Sequence, residues 1–71
     1  MKNNIQLLRK KAKLTQEELG KRLEVSRQTI NSLEKGRYNP SIVLAFKIAN
    51  IFKRNIEDIF IYDELDEEAG I

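Results

Sequence analysis

Two helix-start signals eleven residues apart constrain this chain more than any other feature of it. Thr15 and Ser26 each place a hydroxyl where it can accept from the first amides of a following helix, so the segment between them has room for about two helical turns. Glu18, three residues after Thr15, can reach back to the cap amide and complete a capping box. Leu19 and Leu23 fall on one face of this helix, which is expected to end near Leu23. Glu24-Val25-Ser26 then supplies a turn, an apolar plug and the next cap. From 27 to 35 a second short helix carries Ile30 and Leu33 inward, and Gly36 stops it from the position after the C-cap.

Two short helices joined by such a turn form a helix-turn-helix, whose second helix can enter the major groove of DNA. Gly20 sharpens the reading. A glycine in mid-helix costs about 1 kcal/mol relative to alanine, and here it stands where the following helix would cross closely enough to exclude a larger side chain. Val25 is placed to plug the crossing from beneath.

The remaining chain reads as more helix. Ile5, Leu8 and Ala12 recur at helical spacing among Arg9, Lys10, Lys11 and Lys13, predicting an amphipathic first helix over 4 to 13. Pro40 turns Asn39 away from helical angles, and Ser41 caps a fourth helix from about 42 to 53. Nine of the eleven residues from Ile42 to Phe52 are apolar, which predicts a central, nearly buried helix. Asn55 is placed to cap a short fifth helix through Ile59. Phe60-Ile61-Tyr62 either ends that helix or forms a brief strand, with Lys2 to Asn4 as its pairing partner. The acidic run from 63 to 71 lacks periodicity, so the expected division is a domain over 1–62 and a frayed tail over 63–71. The fold class is all-α, five helices with a terminal β-ribbon as an option.

Charge separates along the chain. Residues 1 to 55 hold all 13 Lys and Arg against four acids, a balance of +9, whereas residues 56 to 71 hold seven acids and no base. A basic body suits a polyanion, and the acidic end must face away from it. With no cysteine or histidine, the chain cannot build a disulfide framework or a standard zinc site, and the usual neutral-pH general base is missing. The scattered Gly20, Gly36 and Gly70 form no phosphate-cradling loop, and the C-terminal acids lack the spacing of a calcium loop. The expectation is a non-enzymatic protein without metal or cofactor. The longest apolar stretch, Ile42 to Phe46, is far below the roughly 20 residues of a membrane span, so a soluble, cytoplasmic protein is expected.

The string LTQEELGKRLEVSRQTINSLEKGRYNPS, within a pattern running from about Ile5 to Phe60, resembles the lambda-repressor-like (Cro/C1-type, XRE) helix-turn-helix domains. With its FIY segment the chain is most similar to the compact dimeric repressors of cytolysin-type operons. The resemblance implies five helices, a motif built from the second and third, and a symmetric dimer on a palindrome. It also implies a salt bridge from Arg9 to Glu34 that ties the first helix to the end of the third. Two places depart from the family pattern: Glu24 stands where many relatives have glycine, and Val43, Leu44 and Ile51 are apolar where relatives are often polar.

The side chains give candidate roles of their own. Arg27 suits guanine and Gln28 adenine by bidentate contact, and Asn31 and Ser32 follow one turn later as short base-edge or water-mediated partners. Gln16, at a helix N-terminus, and the cluster Lys35, Arg37, Tyr38 and Asn39 suit phosphates, with Ser26 and Thr29 as further candidates. Ile56, Phe60 and Tyr62 are expected near a dimer axis, away from DNA. The function expected is a double-stranded DNA-binding regulator, acting as a repressor by blocking a promoter. The alternative is an antitoxin or adaptor of the same fold whose main partner is another protein. With no effector domain in evidence, regulation would come from a partner protein or from concentration.

Overall fold

The computed structural model describes residues 1–37 and 39–62. Its elements in order are β1 (Lys2–Asn3), α1 (Ile5–Lys11), α2 (Gln16–Leu23), α3 (Arg27–Glu34), α4 (Ile42–Phe52), α5 (Ile56–Ile59) and β2 (Phe60–Ile61). Five helices surround one core, and the option of a terminal ribbon is realised: β1 and β2 pair antiparallel, Lys2 opposite Ile61 and Asn3 opposite Phe60. The tail over 63–71 lies outside the described residues.

The expected caps account for most helix starts. Thr15 Oγ1 accepts from the Glu18 amide at 3.0 Å while the Thr15 amide donates to Glu18 Oε1 at 2.8 Å. The backbone and then the side-chain hydrogen bonds to Thr15 hold the Glu18 carboxyl below its ordinary value of 4.5. Ser26 and Ser41 cap α3 and α4 through the amides of Thr29 and Leu44, each at 3.1 Å. Asn55 departs from expectation. It occupies the cap position of α5 without a side-chain cap bond. At α1 the work falls to Asn3, whose Oδ1 accepts from the Ile5 amide at 3.1 Å, and not to the cap residue Asn4.

The first four helices end alike. At Lys13, Glu24, Gly36 and Lys53 the backbone turns left-handed, with φ of 59, 60, 68 and 52°. In each case the next amide reaches back to a carbonyl of the last helical turn: Leu14 to Arg9, Val25 to Gly20, Arg37 to Ser32 and Arg54 to Ala49, at 2.9 to 3.1 Å. Only Gly36 adopts this conformation without a side-chain penalty. For L-residues it costs about 1–2 kcal/mol, offset at Lys13 and Lys53 by a cation at a helix C-terminus. Lys13 therefore ends α1 earlier than the expected 4 to 13, and Ala12 is exposed.

Ile5, Leu19, Leu23, Ile30, Leu33, Ala45, Ile48, Ala49, Ile59 and Phe60 form the core, so every helix contributes to it. The expectation for α4 is corrected. Only Ala45, Ile48 and Ala49 are buried there, while Ile42, Val43 and Phe46 are 70%, 61% and 57% exposed. A domain this small covers one face of a helix. Apolar composition on all faces of α4 removes the periodicity that would have shown which.

Gly20 settles how α2 and α3 meet. A Cβ built there would lie 2.7 Å from the Val25 carbonyl oxygen, a backbone atom in the turn. Gly20→Ala should therefore destabilise the domain by about 1–3 kcal/mol, despite the gain in helix propensity. Thermal unfolding checks this, since a raised midpoint would show that the crossing has slack.

Candidate nucleic-acid interface

The turn after α2 sets the position of α3. Glu24 bends left-handed, the Val25 amide returns to the Gly20 carbonyl at 2.9 Å, and the half-buried Val25 packs against the core. This resolves the conformation at the residue where the family often has glycine. Ile30 and Leu33 then bury the inner face of α3. Gln28, Ser32 and Lys35 recur at i, i+4 and i+7 on the opposite stripe, and Gln28 and Lys35 are exposed. Arg27, Asn31 and Glu34 form the adjacent stripe, exposed at Arg27, half-buried at Asn31 and closed at Glu34. The four candidate base readers thus share one continuous outer surface of one helix.

At the closed end of that stripe lies a buried ion pair. Arg9 Nε donates to Glu34 Oε2 at 2.6 Å and Nη2 to Oε1 at 3.2 Å, with the two side chains 10% and 4% exposed. Arg9 Nη1 also donates to the Leu14 carbonyl at 2.9 Å. Gln16 Nε2 donates to Glu34 Oε1 at 3.1 Å and to Asn31 Oδ1 at 3.4 Å. One carboxylate of α3 is therefore tied to α1 and α2 together. The sequence indicated Arg9 and Glu34 only through resemblance, and it did not indicate that Gln16 and Asn31 join them. The Gln16 side-chain amide, a candidate phosphate ligand, is engaged within the protein.

The same C-terminal end of α3 is held by further bonds. Gly36 and Arg37 amides return to the Leu33 and Ser32 carbonyls at 3.0 Å each, and Asn3 Nδ2 donates to the Leu33 carbonyl at 2.7 Å. A Cβ at Gly36 would meet the Met1 carbonyl oxygen at 2.8 Å, so the residue just before β1 sits directly against this turn. The role of Asn3 had no local signal, because its partner is 30 residues away. Lys35, Arg37 and Asn39 are exposed beyond the helix. Tyr38 lies outside the described residues. Ser26 and Thr29 share a hydroxyl hydrogen bond of 2.9 Å, and Ser26 also caps α3, so both hydroxyls have partners within the protein.

The C-terminal surface differs from expectation at Phe60. It is 9% exposed and belongs to the core of the single chain, in β2 and not on a helical stripe with Ile56. Ile56 is half-buried and Tyr62 exposed. Ile56 lies between two grooves, one of about 250 Å³ lined by Ile42, Ala45 and Phe60, the other lined by Phe46 and Ala49.

The helix-turn-helix family HTH_3 matches residues 5–59, from the start of α1 to the end of α5. The chain belongs to the Cro/C1-type (XRE) helix-turn-helix regulators. It is 58% identical over 64 residues to an uncharacterized HTH-type transcriptional regulator of Archaeoglobus fulgidus, covering 90% of each chain. A similar regulator of Methanocaldococcus jannaschii is 58% identical over 64 residues, covering 90% of this chain and 97% of its own. One of Bacillus subtilis is 44% identical over the same shares. As a Cro/C1-type regulator the chain is a DNA-binding protein of transcription control, a generally non-enzymatic class. Among the described residues no helix is long and apolar enough to cross a membrane, and no cluster of metal-ligating side chains occurs.

The ion pair gives this regulator a measurable dependence. Glu34→Leu would strand the buried Arg9 guanidinium and the Gln16 amide, and should cost about 3–5 kcal/mol. Arg9→Met combined with Glu34→Leu should cost less than Glu34→Leu alone, because no buried charge is left unpaired. Urea unfolding of the single and double variants checks the order, and equal losses would count against the pair as the tie.

Proposed function

We propose that this regulator is a repressor that binds a palindromic operator as a homodimer and blocks promoter access. The observation that carries the DNA-reading part is the division of α3 between a buried face, Ile30 and Leu33, and an outer face bearing Arg27, Gln28, Asn31 and Ser32, on a helix fixed at its start by the Val25 turn and Ser26 cap and at its end by Glu34 and the Leu33 carbonyl. Arg27 and Gln28, at the N-terminal end that leads into a groove, read bases. Lys35, Arg37 and Asn39 set the register on the backbone. At α2 the phosphate-facing groups are the first-turn amides of Gln16 and Glu17 at the positive end of the helix dipole, while the Gln16 side chain is occupied. Repression is favoured over activation because occupancy alone suffices for it, whereas activation needs a further contact with polymerase.

The dimer follows from groove geometry, since one helix discriminates poorly and two about 34 Å apart meet successive major grooves. The exposed apolar residues Ile42 and Phe46 flank Ile56, and Ile61 and Tyr62 add to the same class of surface. Seven acids after residue 55 keep the C-terminal end from phosphates. An adaptor whose main partner is another protein would use the same apolar residues, and the behaviour of the purified chain separates the readings.

Arg27→Ala or Gln28→Ala should cost about 1–3 kcal/mol on the selected operator and relax one base position, whereas Lys35→Ala or Arg37→Ala should weaken all sequences alike and lower the salt slope by about one. Titrations against operator and random DNA at several salt concentrations check both classes. Equal losses on specific and random DNA would refute base reading by Arg27 and Gln28.

Phe46→Glu alters a side chain outside the core, so it should give a folded monomer with much poorer operator binding. Phe60→Glu should unfold the chain instead. Sedimentation and circular dichroism distinguish these outcomes, and a wild type that remains monomeric at tens of micromolar and binds its operator without cooperativity would exclude the dimer.

A further inference from the structure

The side chain of Asn3 joins β1 to the start of α1 and to the end of α3. Its Oδ1 accepts from the Ile5 amide at 3.1 Å, and its Nδ2 donates to the Leu33 carbonyl at 2.7 Å. A backbone N–H only donates and a carbonyl only accepts, so these two partners fix the orientation of the Asn3 side chain. The Leu33 carbonyl also accepts from the Gly36 amide at 3.0 Å, which engages both of its lone pairs. β1 is itself held by pairing with β2 and by Asn4, whose backbone amide and Nδ2 donate to the Ile59 and Asp58 carbonyls at 2.8 and 3.1 Å. Asn3 thus reaches α3 from a fixed base.

The part of α3 that it holds is the closing turn, where Gly36 bends left-handed between Lys35 and Arg37 and the Arg37 amide returns to the Ser32 carbonyl. The other end, with Arg27 and Gln28, is set by the Val25 turn and the Ser26 cap, and the Arg9–Glu34 pair resists rotation of the helix. Loss of the Asn3 donor would therefore loosen the closing turn and leave the reading face where it is. We infer that Asn3 is a positioning residue for backbone contacts: its bond to Leu33 places Lys35 and Arg37 against phosphates while Arg27 and Gln28 meet bases. A cation on an unheld turn must be ordered anew at each encounter. The inference rests on the proposed phosphate role of Lys35 and Arg37 and adds the residue that sets their place.

Asn3→Ser and Asn3→Asp test it, each titrated against the selected operator and random DNA at several salt concentrations. Serine can still accept from the Ile5 amide within its own turn but falls short of Leu33, whereas aspartate keeps the length and has no N–H. The donor to Leu33 is what both lose. The selected bases should stay as in the wild type, while both DNAs bind more weakly and the salt slope falls by about two, one for each cation. Adding Lys35→Ala and Arg37→Ala to Asn3→Ser should then lower the slope little further, since their contacts are already lost. An unchanged slope in Asn3→Ser, a fully additive loss on adding the two alanines, or a changed base preference would each overturn the inference. If neither Asn3 variant folds by circular dichroism, the wild type decides by linkage: saturating random DNA should slow hydrogen exchange of the Asn3 side-chain amide, and an unchanged rate would overturn the inference. Should Lys35→Ala and Arg37→Ala leave the wild-type slope untouched, the phosphate role beneath the inference falls, and the inference with it.

Discussion

A buried arginine–carboxylate pair is an expensive way to join helices, because both ions lose their water and recover it only through good geometry and further hydrogen bonds. Arg9 and Glu34 meet those conditions with a two-point contact, a third arginine bond to the Leu14 carbonyl and a Gln16 donor on the carboxylate. What this arrangement secures is direction. Apolar contacts of Ile30 and Leu33 would tolerate some sliding or rotation of α3, but a forked guanidinium and a planar carboxylate tolerate little. The pair therefore gives the outer face of α3 a fixed orientation from beneath.

The molecule is divided by what each surface can afford to lose to water. Around α3 the exposed groups are hydrogen-bonding and cationic, suited to a hydrated, charged partner. On α4 the exposed groups are Ile42, Val43 and Phe46, suited to a dry one. The core between them is small, drawing only Ala45, Ile48 and Ala49 from the buried face of α4. Two opposite kinds of surface chemistry therefore share a domain whose radius of gyration is 11.8 Å.

Much of this was legible in the sequence, for reasons that are local. A hydroxyl three residues before the amide it caps is visible in a string, so the starts at Thr15, Ser26 and Ser41 could be read. The motif could be read from Gly20 and Gly36. The ends near Leu23 and residue 53 could be read too, but not the left-handed turns at Lys13, Glu24 and Lys53 that close the helices, because a left-handed residue without glycine leaves no mark in composition. Asn55 shows the converse: a suitable cap residue at a helix start need not make the bond. Phe60 was expected near a dimer axis with Ile56 and Tyr62, yet as part of β2 it is buried in the core of the single chain. The link from Gln16 to Asn31 joins separate helices, so no spacing rule reaches it.

The ribbon has a bearing on how the domain assembles in time. The α2–α3 unit forms from neighbours a few residues apart, and contacts of that kind form early and fast. Pairing Lys2 with Ile61 closes a loop spanning nearly the whole described chain, and the entropy cost of closure grows with loop length. Asn3, on the first of those strands, also satisfies the Leu33 carbonyl at the end of α3. Asn3 thus belongs both to the pairing that joins the two ends of the described chain and to the closing turn of α3, so the two depend on one residue.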